Sequence, residues 1–168
     1  MKQQDTLILI GMPTSGKSTA GVILAKILGK DFVDTDLLIQ AQCKKTLPHI
    51  LAEDGLEAFL AAEEAACLSV LPSPAGLVVA TGGSVVYSER AMRYLGSIGT
   101  VIYLQIDQKT LQKRLHNAKQ RGVVLKEGQT IVDLYKERVP LYERYAQLTV
   151  KESGLDMEET VQQILSLL

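Results

Sequence analysis

The chain has 168 residues and a mass of 18.3 kDa, which is the size of one domain with a sizeable core. Hydrophobic residues make up 46% of it, so a disordered or purely fibrous protein is excluded. Its 18 lysines and arginines nearly balance its 19 aspartates and glutamates, which argues against a general binder of nucleic acid or of membrane surfaces.

Five short apolar runs, each followed by glycine or polar residues, predict strands buried in a parallel sheet at 6–10, 32–33, 76–80, 100–104 and 148–150. Helical spacing of apolar residues predicts helices at 17–28, about 37–43, 56–71, 88–95, 109–117, 131–146 and 157–167. Such alternation of strands and helices predicts an α/β fold with a mainly parallel sheet covered by helices, in a single domain over residues 1–168.

The positions of the cysteines and the N-terminal segment indicate the cellular compartment of the protein. Cys43 and Cys67 lie outside any CxxC or Cys/His cluster, so we expect neither a disulfide framework nor a structural zinc site. The apolar run at 7–10 is far shorter than the roughly 20 residues that span a bilayer, and no cleavage pattern of a signal peptide accompanies it. We therefore expect a cytoplasmic protein.

The most specific motif is GMPTSGKS at residues 11–18, here called the phosphate loop. It matches GxxxxGK[ST] in full between a predicted strand and a predicted helix. Its glycines let backbone amides surround a polyphosphate, and the helix adds its positive N-terminal end. We expect Lys17 to reach the β- and γ-phosphates of ATP and Ser18 to offer its hydroxyl to Mg²⁺. The candidate nucleotide-binding residues of this segment are Gly11, Thr14, Ser15, Gly16, Lys17, Ser18 and Thr19.

Polar residues follow the second and third predicted strands at the same edge of the sheet, where open α/β folds bind ligands. Asp34 and Asp36 could hold the Mg²⁺ shell and accept the proton of an attacking hydroxyl, or one of them could simply cap the next helix. Gly82 and Gly83 leave the backbone bare for a small ligand, although a plain turn also fits them.

Taken in order, these segments together with ILAEDGLEAF at residues 50–59 and RVPLYERYA at 138–146 resemble the shikimate kinase family along nearly the whole chain. The resemblance implies a three-layer P-loop NTPase fold with a five-stranded parallel sheet, a substrate-binding helical region at about 37–65 and a mobile lid at about 116–130. It also implies a monomer that transfers the γ-phosphoryl group of ATP to a hydroxyl of a small acid, most directly shikimate.

By the same resemblance, Lys17, Asp36 and Arg121 are the catalytic residues. Asp36 would bind and activate the acceptor hydroxyl, and Asp34 would support the metal through water. Arg121 would close with the lid onto the transferring phosphate, and Arg114 would stack on adenine.

On the acceptor side, the resemblance implies that Arg138 binds the carboxylate of the substrate, for which a planar guanidinium is suited. Glu63, Gly82 and Gly83 match family positions near the acceptor. They complete the candidate substrate-binding set of Asp36, Glu63, Gly82, Gly83 and Arg138.

Two positions on the acceptor side depart from the family pattern. Leu60 replaces an arginine that normally shares the substrate carboxylate, and Ser84 replaces the third glycine of a three-glycine turn. The loss of one charged partner weakens the binding of a carboxylate by about 1.5–3 kcal/mol, which is enough to change the preferred substrate. A residue of the basic lid could take over the role of the arginine and retain shikimate. Alternatively, Glu63 could pair with the ammonium group of a hydroxy amino acid such as homoserine.

Other classes of function remain open at this point. A regulatory nucleotide-binding module could keep the phosphate loop but would not need Asp36 or Arg121. The nine lysines and arginines of residues 109–144 are balanced by acids only over the whole chain, and they suit a lid and phosphate binding better than nucleic acid. We therefore expect no nucleic-acid partner.

Overall fold

A parallel sheet of five strands lies at the centre of the computed structural model, which describes residues 6–115 and 123–168. Its strand order is β2-β3-β1-β4-β5, and every neighbouring pair is parallel. The strands are β1 (Thr6–Ile10), β2 (Asp31–Asp34), β3 (Leu77–Ala80), β4 (Thr100–Gln105) and β5 (Leu148–Lys151). The predicted α/β architecture with five parallel strands is confirmed.

Helices connect the strands and cover both faces of the sheet. They are α1 (Lys17–Leu28), α2 (Thr35–Cys43), α3 (Leu47–His49), α4 (Gly55–Leu68), α5 (Glu89–Ile98), α6 (Gln108–Arg114), α7 (Ile131–Tyr145) and α8 (Met157–Leu167). Both ends of α1 agree with the predicted bounds, and Gly29 ends this helix in the left-handed conformation at φ +65°.

Alternate residues of the central strands fill two separate cores, because successive side chains of a strand point to opposite faces. Ile8 and Ile10 of β1 belong to the core that includes Leu134 and Tyr142 of α7. Leu7 and Leu9 belong to the other core, where α1 and α8 pack. Each fully buried Leu or Ile stabilises the fold by about 1.5–3 kcal/mol, so the sheet is a rigid base for the residues at its edge.

Residues 44–54 and the end of α4 differ from the sequence prediction. The chain forms the short helix α3 and then a π-helical turn at Ile50–Asp54, for which no regular apolar spacing exists in the sequence. Helix α4 ends at Leu68 rather than 71, because the Ser69 hydroxyl donates to the carbonyl oxygen of Ala66 at 2.7 Å and replaces a continued helical hydrogen bond.

The carboxyl ends of three neighbouring strands carry the candidate residues to one edge of the sheet. Strand β1 leads into the phosphate loop, β2 ends at Asp34, and β3 leads into the segment from Thr81 to Ser84. Across the described ranges, no helix is both long enough and apolar enough to span a membrane.

Candidate active site

The phosphate loop is held in a conformation that few residue types adopt. Gly16, the residue before α1, has φ +80°, and a Cβ atom there would lie 2.8 Å from the terminal carbon of Met157. Thr14 also has a positive φ of 70°, which is uncommon and costly for a residue with a branched side chain. The loop is therefore shaped before any ligand arrives.

Lys17 is the first residue of helix α1 and is buried. Its ammonium group forms hydrogen bonds within the phosphate loop. Its Nζ atom donates to the carbonyl oxygens of Met12 at 2.7 Å and Gly11 at 2.9 Å. Burial lowers the pKa of Lys17 to about 8, while the nearby carboxylate of Asp36 opposes this decrease. A phosphate that enters the loop would meet this buried ammonium group in competition with the two carbonyl oxygens.

Asp34 connects the phosphate loop to the second strand. Its carboxylate accepts a hydrogen bond from the Ser18 hydroxyl at 2.6 Å and another from the backbone amide of Asp36 at 2.9 Å. The second contact caps helix α2, which begins at Thr35. Asp34 is thus the residue that caps the helix, one of the two roles that the sequence suggested, and it also contacts Ser18 directly.

Between the phosphate loop and helices α4 and α7 lies a cavity of about 260 Å³. Charged side chains of both signs face it, namely Lys17 and Arg138 on the one hand and Asp36 and Glu63 on the other. The other residues that line the cavity are Pro13, Thr14, Gly16, Ser18, Thr19, Leu47, Phe59, Thr81, Gly82, Gly83, Ser84, Val123 and Val124. The structure therefore brings the five predicted acceptor residues and part of the predicted phosphate-binding segment together in one cavity, whereas Gly11, Ser15, Asp34 and Arg114 do not line it.

The carboxylates of Asp36 and Glu63 lie close together on the same side of Gly82. A Cβ atom at Gly82 would collide with Oε1 of Glu63 and lie only 2.9 Å from Oδ1 of Asp36. Burial raises the pKa of Asp36 to about 6, and the neighbouring Asp34 carboxylate adds to this increase. The Asp36 carboxylate is consequently a stronger base than an exposed aspartate, yet it is mostly ionised at pH 7.

Glu63 is buried, with 2% of its surface exposed, and has an unusual set of partners. The hydroxyl of Ser84 donates to its Oε2 atom at 2.5 Å, whereas Oε1 has no hydrogen-bond partner among residues 6–115 and 123–168. Burial raises the pKa of Glu63 to about 7, although the hydrogen bond from Ser84 acts in the opposite direction. Leu60, one helical turn earlier, supplies no charge, and with Glu63 and Ser84 it lines a second hollow beside the cavity.

Arg138, on helix α7, is 1% exposed and is the largest fully buried side chain of the described structure. Its Nη2 atom donates to the carbonyl oxygen of Val124 at 3.0 Å, and its Nε atom donates to the hydroxyl of Tyr87 at 3.2 Å. Its Nη1 atom lies beside Gly83 at the cavity, since a Cβ there would be 2.9 Å away. A cation in this position is suited to an acidic ligand.

Arg114 has partners that the sequence did not predict. Its Nη1 atom donates to the carbonyl oxygen of Thr14 at 2.9 Å and to Oε1 of Glu152 at 2.8 Å. Glu152 lies directly after β5 and is 3% exposed. Arg114 is therefore not a free helix-surface residue, because it bonds to the backbone of the phosphate loop at Thr14. Arg121 and the first part of the predicted lid, residues 116–122, lie outside the described residues.

The comparisons with known proteins agree with this arrangement. A family model described as shikimate kinase matches residues 13–168. The chain is 36% identical to a shikimate kinase of Chlorobium chlorochromatii over 97% of this chain and 90% of the relative, and 36% identical to one of Thermobifida fusca over 98% and 95%. The chain belongs to the shikimate kinase family. The enzymes of this family are ATP-dependent phosphotransferases that act on a hydroxyl group, and this chain is one of them.

Solved structures show the same relationship at the level of the fold. Shikimate kinase from Acinetobacter baumannii, determined in complex with shikimate, superposes with a TM-score of 0.86 at 30% identity, over 98% of this chain and 92% of that one. Shikimate kinase from Aquifex aeolicus gives a TM-score of 0.81 at 30% identity, over 96% and 94%. The P-loop kinase fold that the sequence predicted is confirmed.

Three residues of the site were not found by reasoning from the sequence. Tyr87 lies outside every predicted motif, and Val124 lies in the predicted lid at 116–130, where no pattern singles it out; both bond to Arg138. Glu152 could have been found, because it is an acid that follows a predicted parallel strand at the edge where ligands bind.

Proposed function

We propose that this enzyme transfers the γ-phosphoryl group of ATP to a hydroxyl of a small carboxylic acid, with shikimate as the first candidate acceptor. The observation that carries the proposal is the joint presence of Lys17, Asp36 and Arg138 around one cavity of about 260 Å³. A phosphate-binding cation, a base and a carboxylate-binding cation are the groups that this transfer needs. The names of the relatives supply shikimate as the acceptor to test first.

In the proposed reaction, the phosphate loop holds ATP and Asp36 orients the acceptor. The hydroxyl of the acceptor donates to the Asp36 carboxylate, which takes up the proton as the oxygen attacks the γ-phosphorus and ADP leaves. Lys17 stabilises the negative charge on the transferring group, an effect made stronger by its burial. Arg121, which lies outside the described residues, is proposed to add a second cation to that group, and Arg114 to border the adenine.

Mg²⁺ fits the residues at the start of α1 and the end of β2. Magnesium prefers oxygen ligands and keeps several waters and phosphate oxygens in its shell, so a hydroxyl and one carboxylate suffice from the protein. Ser18 and Asp34 supply these two groups side by side, 2.6 Å apart. When bound, the ion would neutralise charge on the β- and γ-phosphates.

A second candidate acceptor is a hydroxy amino acid such as homoserine, and the surroundings of Glu63 favour it. Oε1 of Glu63 is buried, lacks a hydrogen-bond partner in the described part of the chain and belongs to a residue that lines the cavity. Leu60 brings no cation to pair with it. An ammonium group would compensate the buried carboxylate, while Arg138 binds the carboxylate of the same molecule.

Measuring ADP release decides between these acceptors. Purified enzyme with Mg²⁺ and ATP is offered shikimate, homoserine or no acceptor, and an Asp36→Asn variant serves as the control for the catalytic site. Turnover with shikimate supports the first candidate, and turnover with homoserine alone supports the second. Release that is independent of any acceptor, or that persists in Asp36→Asn, would contradict the proposed transfer.

Leu60→Arg tests whether the missing cation sets the preference. We expect kcat/KM for shikimate to rise at least roughly tenfold relative to homoserine, because a second charged partner for a carboxylate contributes about 1.5–3 kcal/mol. Leu37→Arg is the matched control, because Leu37 is 62% exposed on α2 and lines neither the cavity nor the second hollow, so the variant adds the same charge away from both. An unchanged ratio in Leu60→Arg would place the specificity elsewhere.

The proposal also includes a monomer located in the cytoplasm that binds no nucleic acid. The near balance of 18 basic and 19 acidic residues supports the last of these points. Gel filtration with light scattering tests the monomer directly.

A further inference from the structure

Tyr87 contacts the guanidinium group of Arg138 through both its hydroxyl and its ring. It lies in the short 3₁₀ turn Val85–Tyr87 that follows the glycines after β3. Arg138 uses Nε for the Tyr87 hydroxyl and one hydrogen of Nη2 for the carbonyl oxygen of Val124. Nη1 is the nitrogen that lies beside Gly83 at the cavity.

The direction of the hydrogen bonds at Tyr87 is fixed by chemistry. Arginine can only donate and a carboxylate can only accept, whereas a phenol does both. The Tyr87 hydroxyl donates to Oε1 of Glu137 at 2.6 Å, so its lone pair is directed at the Nε–H of Arg138. Glu137 is held in turn by Lys126 at 2.9 Å and Gln129 at 3.0 Å.

The ring of Tyr87 restrains the same guanidinium. The central carbon of the Arg138 guanidinium lies 5.2 Å from the ring centroid, within the range of a cation–π contact. The ring and the hydroxyl together leave the side-on edge of the guanidinium, formed by Nε and one Nη, unavailable to a ligand. A carboxylate in the cavity must then be bound by the outer edge, formed by Nη1 and Nη2.

We propose that Tyr87 is a positioning residue that orients Arg138 so that its outer edge binds the carboxylate of the acceptor. This inference rests on the proposed function, in which Arg138 binds that carboxylate. Tyr87 itself does not touch the acceptor. Its effect is therefore confined to ligands that carry a carboxylate.

The test compares Tyr87→Phe with Tyr94→Phe, which removes a hydroxyl that donates to the carbonyl oxygen of Val70, away from the cavity. In Tyr87→Phe we expect the KM of the acceptor to rise roughly tenfold, as for the loss of a hydrogen bond to a charged group. We expect kcat and the KM of ATP to stay within about twofold in both variants. For the carboxamide of the same acceptor, Tyr87→Phe should leave the KM unchanged.

An NMR measurement on the free protein reports on the contact independently of turnover. The Nε–H resonance of Arg138, assigned by its loss in Arg138→Lys, should exchange slowly with water in the wild type and rapidly in Tyr87→Phe. An equal loss with the carboxamide, an unchanged acceptor KM, or a resonance that stays protected in Tyr87→Phe would overturn the inference. A wild type that turns over no acceptor would instead contradict the proposed function, and the resonance would still show whether Tyr87 holds Arg138.

Discussion

Glu63 makes the stability of the protein depend on pH. In the folded state, burial raises its pKa from 4.5 to about 7, so the folded protein binds a proton that the unfolded chain releases at lower pH. The resulting stabilisation is fully present below pH 4.5 and is lost as the pH rises through 7. This stabilisation is on the order of 3 kcal/mol.

Glu63→Gln should remove this dependence, because an amide does not ionise. We expect the variant to melt roughly 5–10 °C above the wild type at pH 8 and close to it at pH 5, as measured by differential scanning calorimetry. Glu57→Gln, a change to an exposed acid of the same helix, is the control and should have little effect at either pH. A difference in Tm that is the same at both pH values would show that ionisation of Glu63 is not the cause.

At the level of elements, the phosphate loop is supported by two segments that are distant in sequence. Arg114 at the end of α6 and Glu152 after β5 form an ion pair at 2.8 Å that also bonds the carbonyl oxygen of Thr14. Thr14 has a positive φ, so its conformation depends on surrounding contacts such as this one. The ion pair of Arg114 and Glu152 thus connects the end of β5 to the backbone of the phosphate loop.

Glu152→Ala should loosen the phosphate loop. We expect the KM of ATP to rise roughly 5- to 10-fold with a smaller change in kcat, because Arg114 loses its buried partner and no longer holds the Thr14 carbonyl firmly. Steady-state kinetics at saturating acceptor measures this. Arg93→Ala breaks an exposed pair with Glu89 and should leave the KM of ATP unaltered. If Glu152→Ala lowers only Tm, its role is limited to folding.

At the level of the whole molecule, the reactivity of the Cys67 thiol measures how readily the core opens. Both cysteines are free thiols, and Cys67 is 0% exposed in the core between α4 and the sheet. Burial raises the pKa of the Cys67 thiol, which lowers its reactivity further. Cys43, at the end of α2, is only partly buried.

A Cys43→Ser variant isolates Cys67. We expect its remaining thiol to react with an aromatic disulfide reagent at least roughly 100-fold more slowly than Cys43 does in Cys67→Ser, because reaction requires opening of the core. In denaturant the two variants should react at similar rates. Fast labelling of Cys67 under native conditions would show that α4 opens locally.

The sequence predicted the sheet, seven of the eight helices in the described part of the chain and the four charged residues around the cavity. It did so because buried strands, amphipathic helices and the phosphate loop each have a local pattern. The π-helical turn at Ile50–Asp54 has no such pattern. The contacts of Arg114 with Thr14 and of Tyr87 with Glu137 join residues 100 and 50 positions apart, which no local spacing reveals.

When a nucleotide binds, Lys17 must exchange its hydrogen bonds within the phosphate loop for contacts with phosphate oxygens. The carbonyl oxygens of Gly11 and Met12 already solvate the ammonium group, so an incoming polyphosphate competes with them for the same hydrogens. The heat released on binding is then the difference between two sets of charge-assisted contacts rather than the full strength of one. Short polyphosphates without a nucleoside would therefore bind weakly for their charge, and discrimination in favour of ATP would come from the remainder of the nucleotide.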